Sequence, residues 1–248
     1  MSKELKNLQK LVQKKYRIES DLFFIEGKKI FQELLNEKIP IENVIVTSEF
    51  YNENKTLFKK IKPKTLKNNE FEKLSSQQTP QGIIAYVKKD YVLKNKANES
   101  NILFFNKISD PGNLGTIIRI ADWFGFKEVV ISEDSVELFN PKVVQATMGS
   151  IFHLKFLINV KSIEFIKEFK HNGYNIILAD LDGSNLYQER FEKDKNIIIF
   201  SNEANGPEKE IVKLADKVIT IPKFGKAESL NVAVSTGIIL SHFVNNKR

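Results

Sequence analysis

Short apolar runs separated by amphipathic stretches characterise the first 90 residues. The runs LFFIEG, NVIVTS and QGIIAYV are rich in Ile, Val and Phe, which is typical of buried strands. An amphipathic helix is predicted to run to about Arg17, and a second helix is predicted around Lys28–Asn36. The pattern predicts a small α/β domain over residues 1–90.

The pattern changes at residues 88–100, KKDYVLKNKANES, which are charged and polar and have no apolar period. They predict a linker, taken as residues 91–100, that leads into a second domain over residues 101–248. There strand-like runs alternate with helices, which predicts a parallel sheet covered on both faces. The predicted strands are ILFF, EVVIS, HLKFLI, YNIILAD, NIIIFS and KVITIP, and the predicted helices begin near Asn113, Pro141, Ser162, Pro207 and Ser229.

One predicted helix, within DPGNLGTIIRIADWFGF (110–126), contains an arginine among isoleucines. Asp110 is a suitable N-terminal cap, and Pro111 suits the first helical position; Asn113 is a second possible cap. The ordinary explanation of Arg119 is an exposed pair with Asp122 three residues later, a contact of ~0.3 kcal/mol. A functional explanation of Arg119 requires a site next to this helix.

Composition excludes several classes of site. The 248 residues contain no cysteine, which excludes disulfides and thiolate metal sites. His153, His171 and His242 are scattered, so no metal site is predicted. The first residues lack the apolar core of a signal peptide, and no run reaches the length of a membrane span. We therefore expect a cytoplasmic protein with no membrane partner.

The net charge of +7 lies entirely in the first part of the chain. Residues 1–100 hold 20 Lys and Arg against 13 Asp and Glu, whereas residues 101–248 hold 18 of each. A basic domain indicates an electrostatic partner, and nucleic acid is the first candidate. The same charge is also explained by lysines on solvated helices of a lysine-rich chain.

Three loops follow predicted strands, at the edge of the sheet where open parallel sheets bind their ligands. They are NKISDPGNLG, SNEANGPEKE and PKFGKAESLN. The first has GxxG rather than the GxGxxG of dinucleotide-binding folds, which argues against a nicotinamide enzyme. Each of the other two, taken alone, is explained by a turn or by helix capping, for which Ser229 is well suited.

Taken together and in this order, the loops resemble the three motifs of the SpoU (TrmH) family of RNA ribose 2′-O-methyltransferases, in the SPOUT superfamily. The matching residues are Asn113, Gly115 and Arg119, then Asn202, Glu203 and Gly206, then Ile221, Pro222, Ser229, Leu230 and Asn231. NPKVVQATMGSIFHL resembles the segment between the first two motifs, and KKYR…FFIEGKKIFQELL resembles the family's substrate-binding domain. One departure is Ser201, where the family usually has glycine.

The resemblance implies a ribosomal-protein-like α/β domain followed by a parallel-sheet SPOUT domain with a deep trefoil knot. It implies S-adenosylmethionine as methyl donor, with no metal. The implied cofactor-binding residues are Ser201, Asn202, Gly206, Ile221, Pro222 and Leu230, and the implied catalytic residues are Arg119, Asn113, Glu203, Ser229 and Asn231. We interpret Arg119 as a cation that holds the target phosphate and stabilises charge on the 2′-oxygen, because a charged guanidinium has no acceptor atom.

The resemblance also implies an RNA partner, and ribosomal RNA is preferred over transfer RNA because the extra N-terminal domain resembles that of ribosomal-RNA members. Lys14, Lys15 and Arg17 are the predicted RNA contacts, although solvated helix-end charges explain them equally well. An alternative of a different class is a non-catalytic RNA-binding factor in ribosome assembly, which only Ser201 favours.

The last predicted helix, SLNVAVSTGIILSHFV, is apolar almost all round, with Leu230, Val234 and Ile238 on one face. Such a helix must be buried on nearly all sides, and its own sheet covers only one of them. A homodimer built on the C-terminal domain is therefore predicted, in agreement with the resemblance. Phe243 is the residue chosen to test which face meets the partner.

Overall fold

The protein is described by a computed structural model that covers residues 2–202 and 206–246. In chain order, the helices are α1 (Lys3–Lys10), α2 (Lys14–Glu19), α3 (Lys28–Asn36), α4 (Ser48–Glu53), α5 (Asn68–Phe71), α6 (Pro111–Trp123), α7 (Pro141–Ala146), α8 (Ser162–His171), α9 (Lys209–Leu214) and α10 (Val232–Asn246). The strands are β1 (Leu22–Glu26), β2 (Asn43–Thr47), β3 (Lys64–Leu66), β4 (Ile83–Lys88), β5 (Asn101–Asn106), β6 (Glu128–Ser132), β7 (Lys155–Val160), β8 (Asn175–Asn185), β9 (Asn196–Ser201) and β10 (Lys217–Thr220).

The chain divides into two compact units. The first comprises residues 1–92 with 139–152, and the second comprises residues 93–138 with 153–248. Residues 139–152, which the sequence assigned to the second domain, therefore group with the first unit. The predicted boundary at residues 91–100 stays a prediction.

The first unit is built on a four-stranded mixed sheet in the order β1-β4-β2-β3. Leu5, Leu8 and Leu11 of the first helical segment are buried in the same cluster as Ile84 and Tyr86 of β4. The small α/β domain is thus present. Three of its elements, α4, β3 and α5, have only three to six residues and were not predicted, because so short a segment shows no clear period.

The predicted N-terminal helix is two helices, and Arg17 explains how the break between them is stabilised. Its guanidinium Nη1 donates to Leu11 O at 3.0 Å and to Val12 O at 2.6 Å, which satisfies carbonyls left open where α1 ends. Arg17 is only 3% exposed. The guanidinium of Arg17 is therefore enclosed by its own chain, and its predicted contact with RNA stays a prediction.

The second unit contains the predicted parallel sheet. Its six strands lie in the order β10-β8-β9-β5-β6-β7, and every pair is parallel. The chain moves outward from β5 through β6 to β7, and then returns on the other side of β5 through β8 and β9. The order therefore reverses between β5 and β9, and a reversal of this kind opens a crevice beyond the carboxyl ends of the two strands.

Both faces of this sheet are buried, as the alternation of helices and strands predicted. Ile102 and Phe104 of β5 lie in the cluster that contains Phe165 of α8 and Ile211 of α9. The next residue, Phe105, points to the opposite face because strand side chains alternate, and its ring stacks on Phe200 at a centroid distance of 5.4 Å. On the described residues, no helix is long and apolar enough to cross a membrane.

Residues 94–99 of the predicted linker belong to the second unit, where they surround the buried carboxylate of Glu128. Glu128, at the start of β6, is 0% exposed and accepts hydrogen bonds from the backbone N–H groups of Asn98 and Glu99 at 2.8 and 2.9 Å. Lys94 Nζ lies 3.1 Å from its other oxygen, close enough for an ion pair but not aligned for a hydrogen bond. Removing these partners would leave a buried charge uncompensated, at a cost of about 3–5 kcal/mol.

Candidate active site

The first loop starts α6 in the way the sequence predicted. Asp110 Oδ1 accepts a hydrogen bond from Asn113 N at 2.7 Å, and Pro111 occupies the first turn. The helix buries Leu114 and Ile118 on its inner side. Arg119 points away from that side and is exposed.

A hydrogen bond between two amide side chains joins the first motif to the third. Asn231 Nδ2 donates to Asn113 Oδ1 at 2.9 Å, across 118 positions of sequence. Asn231 Oδ1 accepts from Ala233 N at 2.9 Å and thereby caps α10. The cap was expected at Ser229, but the helix starts at Val232, so Asn231 takes that position. One asparagine therefore fixes the starts of both helices relative to each other.

A second amide joins the ends of β5 and β9. Asn106 and Ser201 are register partners, and the next residue, Asn202, donates from Nδ2 to Lys107 O at 3.0 Å. The Lys107 ammonium is hydrogen-bonded to Glu208, and this bond raises the pKa of Lys107 above its usual value. The sequence did not point to Lys107, because a single loop lysine carries no pattern that separates it from solvated ones.

A cavity of about 300 Å³ opens at these strand ends. All six residues predicted to bind the cofactor line it: Ser201, Asn202, Gly206, Ile221, Pro222 and Leu230. Ser229, predicted to be catalytic, lines it as well, and the apolar wall includes Phe200, Ile219 and Ile239. The cavity therefore combines an apolar wall with hydroxyl groups and strand-end backbone, as a nucleoside-containing ligand requires.

Ser201 occupies a distinctive position in this cavity. Its Oγ atom is buried and has no hydrogen-bond partner among the described residues. A buried hydroxyl without a partner costs about 1–3 kcal/mol, which a polar group of a bound ligand would recover. Serine at a position where the family usually has glycine therefore adds a donor to the cavity wall.

The end of β8 forms a further wall that the sequence did not single out. Its pairing with β10 passes from Leu178↔Val218 directly to Ser184↔Ile219, so residues 179–183 leave the ladder, and Ala179, Asp180 and Leu181 line the cavity. Gly183 makes this possible, since a Cβ there would lie 2.7 Å from the backbone carbon of Ile219. The sequence feature that could have indicated this wall is Asp180, a charged residue at the end of a predicted strand.

Comparison with known proteins places the chain in a family. Residues 100–241 match the model described as the SpoU rRNA Methylase family, and residues 2–85 match an MRM3-like substrate binding domain. The first match covers more than half of the chain. The chain belongs to the SpoU methylase family.

Three proteins resemble this SpoU methylase over almost its full length. The 23S rRNA (guanosine(2553)-2′-O)-methyltransferase RlmP of Bacillus subtilis (strain 168) is 29% identical over 242 residues, which cover 97% of this chain and 96% of the relative. A TrmH-family RNA methyltransferase structure from Porphyromonas gingivalis is 28% identical with a TM-score of 0.85, covering 98% of each chain. An AdoMet-bound rRNA methyltransferase from Sinorhizobium meliloti is 25% identical with a TM-score of 0.81, covering 97% and 94%.

The structure brings two predicted catalytic residues of the SpoU methylase into contact and places a third in the cavity lining. Asn113 and Asn231 are hydrogen-bonded, and Ser229 lines the cavity. Arg119 has no ion-pair partner within residues 2–202 and 206–246, and Glu203 lies outside the described residues. Asp122, the ordinary partner considered for Arg119, is instead paired with His153, whose Nδ1 lies 2.7 Å from the carboxylate.

The predicted RNA contacts in the first unit are of two kinds. Lys14 and Lys15 are exposed, and their role stays a prediction, whereas Arg17 is buried. The described residues contain no cluster of three or more His, Asp or Glu side chains that could hold a metal ion.

Proposed function

We propose that this SpoU methylase transfers the methyl group of S-adenosylmethionine to a ribose 2′-hydroxyl of ribosomal RNA. The observation that carries this proposal is the cavity, which is lined by all six residues predicted to bind the cofactor. It lies in the unit where Asn113 and Asn231 join the first motif to the third. The full-length similarity to RlmP, named for 23S rRNA, supports ribosomal RNA as the substrate.

The cavity fits S-adenosylmethionine in its chemistry. Phe200, Ile219 and Ile239 offer an apolar surface for an adenine ring, and the partnerless Ser201 hydroxyl is available to a polar group of the ligand. Bound there, the cofactor supplies an electrophilic methyl group on a sulfonium, which needs no further activation. The protein's task is therefore to orient a ribose hydroxyl and to stabilise the charge that develops on it.

Arg119 is suited to that task by its exposure. No described carboxylate neutralises its guanidinium. The guanidinium is therefore available to bind a phosphate through two parallel hydrogen bonds, which fixes the adjoining ribose. The same positive charge stabilises the 2′-oxygen as its proton leaves. We assign Asn113, Ser229 and Asn231 to orienting Arg119 and the RNA, because Asn113 and Asn231 fix the two helix starts and Ser229 lines the cavity. Glu203 keeps the same predicted role.

We also propose a homodimer through the C-terminal domain. Val234 on α10 is 51% exposed, and Trp123 on α6, the helix that packs against α10, is 85% exposed. A partner that covers these side chains would remove apolar surface from water. Phe243 does not take part, because it is 2% exposed and packs against Phe191 at a ring distance of 4.8 Å.

Light scattering at micromolar concentration tests the dimer. Val234→Asp should reduce the mass to that of one chain, 28.6 kDa. Val212→Asp, on α9 and also partly exposed, is the matched control and should leave the dimer intact. A wild-type protein with the mass of one chain would refute the proposal.

The function itself is tested by transfer of a labelled methyl group to total RNA from cells that lack the protein, followed by mapping of the modified ribose. Label in ribosomal RNA is expected, and label confined to transfer RNA would favour that substrate instead. Calorimetry with S-adenosylmethionine separates an enzyme from a non-catalytic factor, since absence of binding would contradict the proposal. A ribosomal RNA substrate also agrees with the predicted cytoplasmic location.

A further inference from the structure

The loop between β10 and α10 carries an exposed aromatic ring at the mouth of the cavity. Phe224 is 96% exposed, more than any other large apolar side chain among the described residues. Residues 223–231 are all exposed, and Lys223, Phe224 and Gly225 line the cavity. A whole phenyl ring left in water forfeits roughly 1.5–3 kcal/mol of burial. Because this ring also lines the cavity, a ligand that reaches the cavity can cover it.

We infer that Phe224 stacks on an RNA base next to the target ribose, while Lys223 and Lys226 contact the adjoining phosphates. This inference rests on the proposed function. Surfaces that bind unpaired RNA combine aromatic rings, which stack on bases, with cations that follow the backbone. The segment KFGK has this composition, and Glu228 is the acidic residue on the same loop, so the loop keeps a net charge of +1.

The position of the ring favours RNA over the cofactor. The cavity residues predicted to hold the cofactor are partly enclosed at Ser201, Ile221 and Pro222, and the Ser201 hydroxyl is buried. Phe224 lies instead at the outer rim, where a ring that is almost fully exposed has its free face toward solvent. The acceptor ribose must reach the cavity from solvent, and residues 223–225 and 227–230 form a continuous exposed part of the cavity lining.

The flanking charges favour RNA over a second copy of the chain. Cores of protein interfaces are depleted in lysine, and Phe224 has exposed lysines at positions 223 and 226. A two-fold contact centred on this loop would also bring the same lysines of both subunits together. The exposed apolar residues Val234 and Trp123 have no such neighbours in sequence.

Three substitutions separate stacking from simple bulk. Phe224→Ala should raise KM for ribosomal RNA from cells lacking the protein by roughly 5- to 150-fold, the range for losing one stacked base. Phe224→Leu should show a similar effect because it keeps apolar volume but no ring face, and Phe224→Trp should retain the wild-type KM. Tyr187→Ala, which removes another exposed ring outside the cavity lining, is the control and should change nothing.

Calorimetry with S-adenosylmethionine and light scattering complete the experiment, and the Phe224 variants should match the wild type in both. An unchanged RNA KM in Phe224→Ala overturns the inference. A weakened cofactor affinity would assign the ring to the cofactor instead, and a fall to the mass of one chain would assign it to the subunit interface. A wild-type enzyme that transfers no methyl group to RNA would refute the proposed function, whereas an unchanged KM in Phe224→Ala alone leaves that function intact.

Discussion

Two arginines, one in each unit, were predicted to contact RNA, and the structure gives them opposite surroundings. Arg17 is 3% exposed and directs its guanidinium to two carbonyls of its own chain. Arg119 is exposed and has no ion-pair partner within the described residues. In the sequence, Arg119 belongs to one of the three motifs, whereas Arg17 is a helix-end cation that a solvated charge would explain equally well. The difference teaches that a cation marks a binding site only when its own chain leaves its donors available.

The contrast between Arg119 and Arg17 requires that Arg119 be needed for methylation. Arg119→Ala should lower kcat for RNA methylation by about 10²–10³, the typical cost of losing one preorganised donor at a developing charge. Because Arg119 is exposed, the variant should unfold at the wild-type temperature. Arg119→Lys is the matched variant, and it should recover only part of the rate because an ammonium cannot make two parallel hydrogen bonds to a phosphate. Near-native turnover of Arg119→Ala would remove Arg119 from the site.

Arg17→Ala should act on stability instead of chemistry. It removes a buried charged donor from two carbonyls, so we expect the free energy of unfolding to fall by about 1.5–3 kcal/mol. Denaturant titration measures that change, and the RNA KM of the protein that remains folded should be unchanged. A raised KM with unchanged stability would return Arg17 to the RNA-binding residues.

Features that depend on local patterns of residues could be predicted from the sequence, whereas features that depend on contacts between distant positions could not. The parallel sheet and the start of α6 at Asp110 were predictable from local patterns of residues. The six cavity residues were predictable from the resemblance of the three ordered motifs to those of the family. The packing of residues 94–99 on Glu128 was not predictable, since it depends on hydrogen bonds that span about 30 positions. The burial of Phe243 was not predictable either. A helix that is apolar all round does not reveal which of its faces packs against its own chain.

The exposed cations of the first unit sharpen the comparison further. If Lys14 and Lys15 bind phosphates, replacing both with Ala should lower the slope of log affinity against log salt by about 0.7–0.9 for each phosphate that is no longer neutralised. The exposed pair Lys59 and Lys60 is the control, since its replacement makes the same change in net charge within the same unit. Equal effects of the two pairs would mean that the total charge of the unit matters and not the helix end.

The smallest expected effect concerns what keeps Arg119 available. Asp122 lies three residues after Arg119 on the same helix, within reach of an ion pair, but its carboxylate is 2.7 Å from His153 Nδ1. His153→Ala would release Asp122 to pair with Arg119 and compete with the RNA phosphate. For a partly exposed pair worth about 0.2–1 kcal/mol, the RNA KM should rise by up to roughly fivefold.

The double variant decides whether His153 acts through Asp122. Asp122→Ala combined with His153→Ala removes the competing carboxylate, so the RNA KM should return to the wild-type value even though both side chains are gone. If His153 only supports packing at the start of β7, the second substitution cannot restore binding and the two effects should add. A restored KM would therefore show that the Asp122–His153 pair keeps Arg119 available to RNA. Arg17 differs, because its guanidinium is held by hydrogen bonds to its own chain.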